Sequence, residues 1–154
     1  MLVRFFKWLM IFTCVAITAC ALVFFLYCNS LDRVNPLTRT YYHRLKTELK
    51  RKGYQTQLVV MSSRRTFWHN KLLTWFGASS KSRHLTGDAV DILVLDVNND
   101  QAIDGKDVDI IYGLLDQKIV HNTGGVGTYK TETPIWNRQM VHLDCRKTRT
   151  RWHR

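Results

Sequence analysis

The stretch Ser82-Arg83-His84-Leu85-Thr86-Gly87-Asp88-Ala89-Val90-Asp91 sets an imidazole ahead of a carboxylate, with a glycine between them. Val90 to Leu95 is β-branched and aliphatic, which predicts a buried strand beginning near Asp91. Carboxylates are rarely buried unless they are paired or bound to a metal. Gly87 tolerates a positive φ, so a turn there would bring His84 back toward Asp91.

A third candidate ligand lies downstream, in Met140-Val141-His142-Leu143-Asp144. Residues two apart on a strand share a face, so His142 and Asp144 are expected on one side and Cys145 on the other. A catalytic zinc takes three protein ligands of the His, Asp, Glu or Cys type and leaves a fourth position for water. The sequence therefore predicts a zinc site of His84, Asp91 and His142. The plainer alternative is that each histidine is an ordinary core or surface residue.

The pattern Ser-x-His-x-x-Gly-x-Ala-x-Asp resembles the signature of the D-alanyl-D-alanine metallopeptidases. These include zinc D,D-carboxypeptidases and murein endopeptidases, and they share a fold with the hedgehog signalling domain. The resemblance covers about residues 38 to 152 and implies that His84, Asp91 and His142 bind zinc. Ser62-Ser63-Arg64-Arg65 is similar to a family segment whose arginine lies near the substrate carboxylate. Arg65 and Ser82 are therefore the candidate substrate-binding residues.

The general base is left open by the resemblance. Several family members carry a Glu or a second His just before the third ligand, where this chain has Arg138, Gln139 and Met140. The catalytic candidates are Asp144 and Glu132, although Asp144 could equally orient an imidazole. His69 and His121 are reserve candidates for the site.

The resemblance implies an α+β fold, with a small antiparallel sheet and flanking helices. One transmembrane helix is expected to precede it. The pattern predicts a helix over residues 37–52, a strand over 57–61 and a helix over 66–76. In the last helix, Phe67, Leu72, Trp75 and Phe76 are expected to face the core. The predicted organisation is a membrane segment over residues 1–30, a linker over 31–37 and one domain over 38–154.

The membrane segment is predicted from an uncharged run of 20 residues, Trp8 to Tyr27. As a helix it would span about 30 Å, the thickness of the hydrocarbon core. Arg4 and Lys7 precede it, so the positive-inside tendency predicts a cytoplasmic N-terminus and a domain outside the cytoplasm. A cleaved signal peptide is the alternative, but no small-residue cleavage site ends the run. We expect a single-pass protein of the cytoplasmic membrane.

The formal net charge of +11 favours an anionic partner. Wall polymers or lipid headgroups suit a domain outside the cytoplasm better than nucleic acid does, and no nucleic-acid motif is evident. Only Cys145 lies in the soluble part, so no disulfide framework is expected there. The domain is expected to be a monomer.

Residues 96–107 follow the logic of a calcium loop, with oxygen donors at positions 1, 3, 5, 9 and 12 and a carbonyl at 7. These donors are Asp96, Asn98, Asp100, Asp104 and Asp107, with the carbonyl of Ala102. Gln101 stands where glycine is usual, and the last position is Asp rather than Glu. The alternatives are a structural Ca²⁺ site and an acidic turn that merely tolerates ions.

The function predicted from these features is a Zn²⁺-dependent metallopeptidase. Its substrates would be peptidoglycan stem peptides, cut beside a D-amino acid by D,D-carboxypeptidase or murein endopeptidase action. The rival is a zinc-containing, membrane-anchored module that binds the cell wall without cutting it.

Overall fold

The computed structural model describes residues 2–129 and 139–153. It has four α-helices: α1 (Leu2–Asn29), α2 (Pro36–Arg51), α3 (Phe67–Thr74) and α4 (Gly105–Leu114), the last continued by a π-helical segment, Leu115–Val120. Its strands are β1 (Leu58–Ser62), β2 (Ala89–Val94), β3 (Gly125–Tyr129), β4 (Met140–Asp144) and β5 (Thr150–His153). Short 3₁₀ turns cover Leu31–Arg33 and Arg83–Leu85.

The five strands form one sheet in the order β1-β2-β4-β3-β5. The pairs β1–β2, β2–β4 and β4–β3 are antiparallel, and β5 lies parallel to β3 at the edge. The α+β class with a small, mainly antiparallel sheet and flanking helices is confirmed. The strand with the longest aliphatic run, β2, lies inside the sheet and has Val90, Ile92 and Val94 fully buried.

Two helices cover the sheet and close the core. In α2 the apolar positions Tyr41, Tyr42, Leu45 and Leu49 are buried. This helix begins at Pro36 after the Asn35 cap, whose side chain accepts from the amide of Leu37. Val108 and Ile111 of α4 are fully buried in the same cluster. These contacts fix the sheet on which the candidate ligands lie.

One helix, α1, is long and apolar enough to cross a membrane; the candidate span is Arg4–Asn29. Its side chains from Arg4 to Tyr27 are exposed, and Cys28 is the first that is buried. Cys28 lies against the loop after β1, where its carbonyl accepts hydrogen bonds from the amide and the hydroxyl of Ser63. The end of α1 is therefore part of the folded domain.

The third helix departs from the sequence prediction. The structure places α3 where it was expected, but the four side chains assigned to the core are exposed: Phe67, Leu72, Trp75 and Phe76 have exposed fractions of 65%, 51%, 78% and 79%. In α3 itself the buried residue is Asn70. The prediction was wrong because helical spacing identifies an apolar face but not what covers it.

Candidate metal centre

Three side chains from separate elements converge at the middle of the β2–β4 pair. His84 comes from the 3₁₀ turn before β2, Asp91 from β2 and His142 from β4. The antiparallel register of β2 and β4 sets Asp91 directly opposite His142. Gly87 has a φ of 78° and turns the chain, as predicted, so that His84 folds back over the strand. One ligand atom from each residue lies within 4.8 Å of the others, and all three side chains are buried.

His84 has its two ring nitrogens in different environments. Nδ1 donates to the carbonyl of Ser63 at 2.7 Å, which leaves Nε2 as the nitrogen with the lone pair. Nε2 lies 3.1 Å from Oδ2 of Asp91, but it has no hydrogen-bond partner among the residues that the structure describes. Burial lowers the pKa of His84 despite the opposing effect of Asp91, which favours the neutral ring. A buried lone pair and a carboxylate oxygen thus face each other, an arrangement that a cation would stabilise.

His142 lies between two carboxylates. Nδ1 is 2.8 Å from Oδ1 of Asp91, and Nε2 is 3.2 Å from Oδ2 of Asp144. Burial alone would lower the pKa of His142, but the hydrogen bonds to Asp144 and Asp91 raise it to about 9. Metal-binding histidines commonly give their second ring nitrogen to a carboxylate or a carbonyl, which orients the ring. Asp144 and the carbonyl of Ser63 supply these two kinds of partner.

Asp91 is also paired with Arg65. The guanidinium NH2 of Arg65 is 2.7 Å from Oδ2 of Asp91, and its Nε donates to the hydroxyl of Ser62 at 2.8 Å. Burial would raise the pKa of Asp91, yet His84 and His142 hold it well below the ordinary value. Arg65, predicted to hold a substrate carboxylate, therefore lies at the site and is engaged with a candidate ligand.

Asp144 has its oxygens fully engaged. It is buried, accepts from the amide of Gly125 at 3.0 Å and forms an ion pair with Arg146 in addition to its contact with His142. Burial would raise its pKa, but His142 and Arg146 hold the pKa of Asp144 well below the ordinary range. A carboxylate in this state is a poor proton acceptor and a good anchor for an imidazole.

The other sequence candidates fall in different places. Ser82 caps the 3₁₀ turn, since its side chain accepts from the amide of His84 at 3.3 Å. Glu132 and Arg138 lie outside the described residues. His69 contacts the end of α1 rather than the cluster, through Phe24 and Cys28.

The structure adds residues that the sequence reasoning missed. Ser63 acts through its backbone carbonyl, which carries no residue-type signal. Trp152 packs beside His142, with ring centroids 5.6 Å apart. Gly127 and Gly125 leave room for the Trp152 ring and the Asp144 carboxylate, which a Cβ at these positions would overlap. The alternation of these glycines opposite His142 and Asp144 was a usable signal for a crowded strand face.

The loop over residues 96–107 is held by its own hydrogen bonds. Asp107 is fully buried and accepts from the amides of Val97, Asn98 and Asp104. The nitrogen of Lys106 lies 3.5 Å from both Asp100 and Asp104. Within residues 2–129 and 139–153, His84, Asp91 and His142 form the one group of three acidic, histidine or cysteine residues close enough to share an ion. The described contacts thus give no support to a calcium ion in this loop.

The cluster fits a zinc ion by the chemistry of its donors. Two imidazoles and one carboxylate are a ligand set of catalytic zinc. Nε2 of His84, which has no hydrogen-bond partner in the described part of the chain, lies 3.1 Å from the carboxylate that would share the ion. An α+β sheet that carries such a cluster offers the ligand set that metal-dependent hydrolases use.

Residues 34–109 match the family model described as Peptidase M15. Over these residues the chain is similar to a zinc-dependent family, and the match indicates a metallopeptidase. The match includes His84 and Asp91 and ends before His142, which the fold brings to the same point. Comparisons with curated proteins and with solved structures give no match.

Proposed function

We propose that the protein is a zinc peptidase that hydrolyses a peptide bond beside a D-amino acid in peptidoglycan stem peptides. The observation that carries this proposal is the buried Nε2 of His84, which has no described hydrogen-bond partner and faces Asp91 at 3.1 Å. His84, Asp91 and His142 would hold the ion. When bound, zinc would polarise the scissile carbonyl and lower the pKa of a water molecule.

The surrounding residues would position the ligands and the substrate. The carbonyl of Ser63 would keep Nδ1 of His84 protonated, and Asp144 would orient His142. Arg65 would hold a substrate carboxylate with its forked guanidinium, since only Nε and one terminal nitrogen have the contacts described above. Ser82 would shape the turn that carries His84.

The general base would be Glu132 rather than Asp144. Both oxygens of Asp144 are engaged, and its low pKa disfavours proton uptake. Glu132 is proposed from the sequence alone. Glu132→Gln should leave zinc content unchanged and lower turnover, whereas unchanged turnover would remove Glu132 from the mechanism.

The second candidate function is a wall-binding module without turnover. It is favoured by the residues before the third ligand: Gln139 donates its side-chain amide to the carbonyl of Ile103, and Met140 is buried. Neither can act as a base. Neither function requires calcium.

We place the domain on the outer face of the cytoplasmic membrane, anchored by α1 and acting as a monomer. Arg4 and Lys7 precede the apolar run, which favours a cytoplasmic N-terminus. The wall peptides would then lie on the same side as the site.

The experiment measures zinc content and peptide release from purified murein for the full chain and for single alanine variants of His84, Asp91 and His142. His43→Ala is the matched control, because His43 is exposed on α2 outside the cluster. We expect loss of zinc and of release in the three site variants only. Full zinc occupancy with unchanged release in those variants would refute the proposal, and zinc binding without release from any wall fragment would favour the binding module. Pentapeptide monomers and crosslinked dimers as separate substrates distinguish carboxypeptidase from endopeptidase action.

A further inference from the structure

The first observation is the apolar surface of α3 and the turn after it. Phe67, Trp68, Leu72, Trp75 and Phe76 have exposed fractions between 51% and 79%. We call these five residues the α3 aromatic face. A cluster of large apolar side chains on a water-soluble surface is unusual and commonly marks an interaction site.

The second observation is where this face lies. The ring of His69 in α3 is 5.6 Å from the ring of Phe24 in α1, and Nδ1 of His69 is 3.6 Å from Sγ of Cys28. Phe24 precedes the end of the apolar run at Tyr27 by three residues, about 4–5 Å of helix. If α1 crosses the bilayer, α3 lies at the level of the outer end of the hydrocarbon core.

The third observation is the charge around this face. From Leu49 to Gly87 the sequence has no Asp or Glu. Lys71 and Lys81 are exposed in this stretch, and the ammonium of Lys71 lies over the Trp68 ring at 5.2 Å. Tryptophan and basic residues together are typical of membrane interfaces with anionic headgroups.

We propose that the α3 aromatic face lies in the headgroup and upper acyl region of the same bilayer that α1 crosses. α3 would thus be a second contact with the membrane, at its interface, and would fix the tilt of the domain on the membrane. Through Cys28 and Ser63, the end of α1 also touches the loop that holds His84. This interfacial role goes beyond peptidase activity and does not depend on it.

The test uses single-tryptophan forms of the full chain in vesicles of phosphatidylethanolamine and phosphatidylglycerol. Trp68, Trp75 or Trp8 is kept alone and the other tryptophans are replaced by Phe. Quenching is measured with lipids brominated near the headgroup and with aqueous iodide. Trp8 in α1 reports insertion of the helix. Ile103→Trp in a chain without other tryptophans is the distant control, because Ile103 is exposed in the loop after β2, away from the Ser62 end of β1 that α1 contacts.

We expect brominated lipid to reduce the emission of Trp68 and Trp75 as it does that of Trp8, with protection from iodide. The Ile103→Trp reporter should be quenched by iodide and not by brominated lipid. Iodide quenching of Trp68 and Trp75 without lipid quenching would overturn the proposal. Protection from both quenchers would overturn it as well, since a protein partner or a second copy would then cover the face. Absence of lipid quenching of Trp8 would show that α1 is not inserted in the bilayer, and this would also overturn the proposal.

A measurement on the unaltered chain guards against variants that fail to fold. Photoactivatable lipid is crosslinked to the protein in the same vesicles, and tryptic peptides are read by mass spectrometry. Cleavage at Arg65, Lys71 and Lys81 gives peptides 66–71 and 72–81, which carry the face. Labelling of these two peptides, and not of the 96–107 loop, is expected. Equal labelling of the two peptides and the loop, or labelling of none of them, would contradict the proposal. Murein hydrolysis enters neither readout, so failure here leaves the peptidase proposal intact.

Discussion

The carbonyl oxygen of Ser63 accepts a hydrogen bond from Nδ1 of His84 at 2.7 Å. Ser63 is itself held by α1, because its amide and its hydroxyl both donate to the carbonyl of Cys28. The last turn of a helix that could span a membrane is thus two hydrogen bonds away from a candidate metal ligand. The contact links the anchor to the site through the backbone rather than through charged side chains.

Ser63→Ala should weaken this link without breaking it. The hydroxyl bond to Cys28 is lost, while the amide bond and the Ser63 carbonyl remain. We expect a loss of about 1 kcal/mol in unfolding free energy. Zinc affinity should fall by up to about tenfold, the low end for partners outside the ligand shell. Urea titration measures the unfolding free energy, and chelator competition measures the zinc affinity. Ser80→Ala, in an exposed loop, is the matched control. An unchanged zinc affinity would separate the anchor from the site.

Asp144→Asn tests the orienting partner of His142. The amide can still fill the space but no longer offers a charged acceptor to Nε2, at 3.2 Å, or to Arg146. Zinc affinity should fall by about 10–100-fold. Asp116→Asn is the control, since Asp116 is also paired with arginine but contacts β5 rather than the cluster. Unchanged zinc affinity in Asp144→Asn would mean that His142 needs no oriented partner.

The convergence of His84, Asp91 and His142 could be predicted because each signal is local. Gly87 indicates the turn, the aliphatic run after Asp91 indicates the strand, and alternation around His142 indicates the face. Of the two positioning partners, Asp144 could be predicted from its place two residues after His142, whereas Ser63 could not. A backbone carbonyl such as that of Ser63 has no signature in the sequence, and its position depends on the register of β1 with β2.

The α3 aromatic face shows a second limit of prediction from sequence: the pattern is visible, but what covers the face is not. Trp68, Leu72 and Trp75 follow the spacing of a core-facing helix, but the structure exposes them beside α1. Periodicity reports that one side of a helix is apolar, and it does not distinguish a protein core from a bilayer interface. The proximity of α1 to His69, which only the fold provides, is why we propose the bilayer interface.

Gly127→Ala should be destabilising by overlap with Trp152. A Cβ at position 127 would fall on the indole ring, which packs beside His142. We expect a cost of about 1–3 kcal/mol, as for overpacking elsewhere. Gly113→Ala is the matched control, because its Cβ would meet no atom within 4 Å in α4. That variant should be neutral or more stable by up to about 1 kcal/mol. Equal stability of the two variants by urea titration would contradict the close approach.

Asp116→Asn should change how stability depends on pH. Burial would raise the pKa of Asp116, but Arg151 on the edge strand and Arg149 just before it lower the pKa. A carboxyl whose pKa is lower in the folded state stabilises the protein above its unfolded pKa, about 3.9, and loses that contribution as pH falls through the folded value. The difference between wild type and Asp116→Asn should therefore be largest at neutral pH, about 0.5–1 kcal/mol, and decrease as pH falls through the folded pKa. Urea titration across pH 2–7 measures it. Asp32→Asn, which breaks a pair with Arg39 in which the carboxylate is exposed, should have little effect at any pH. A difference for Asp116→Asn that stays constant down to pH 2 would show that charge is not the reason for the contact between the π-helical segment and β5.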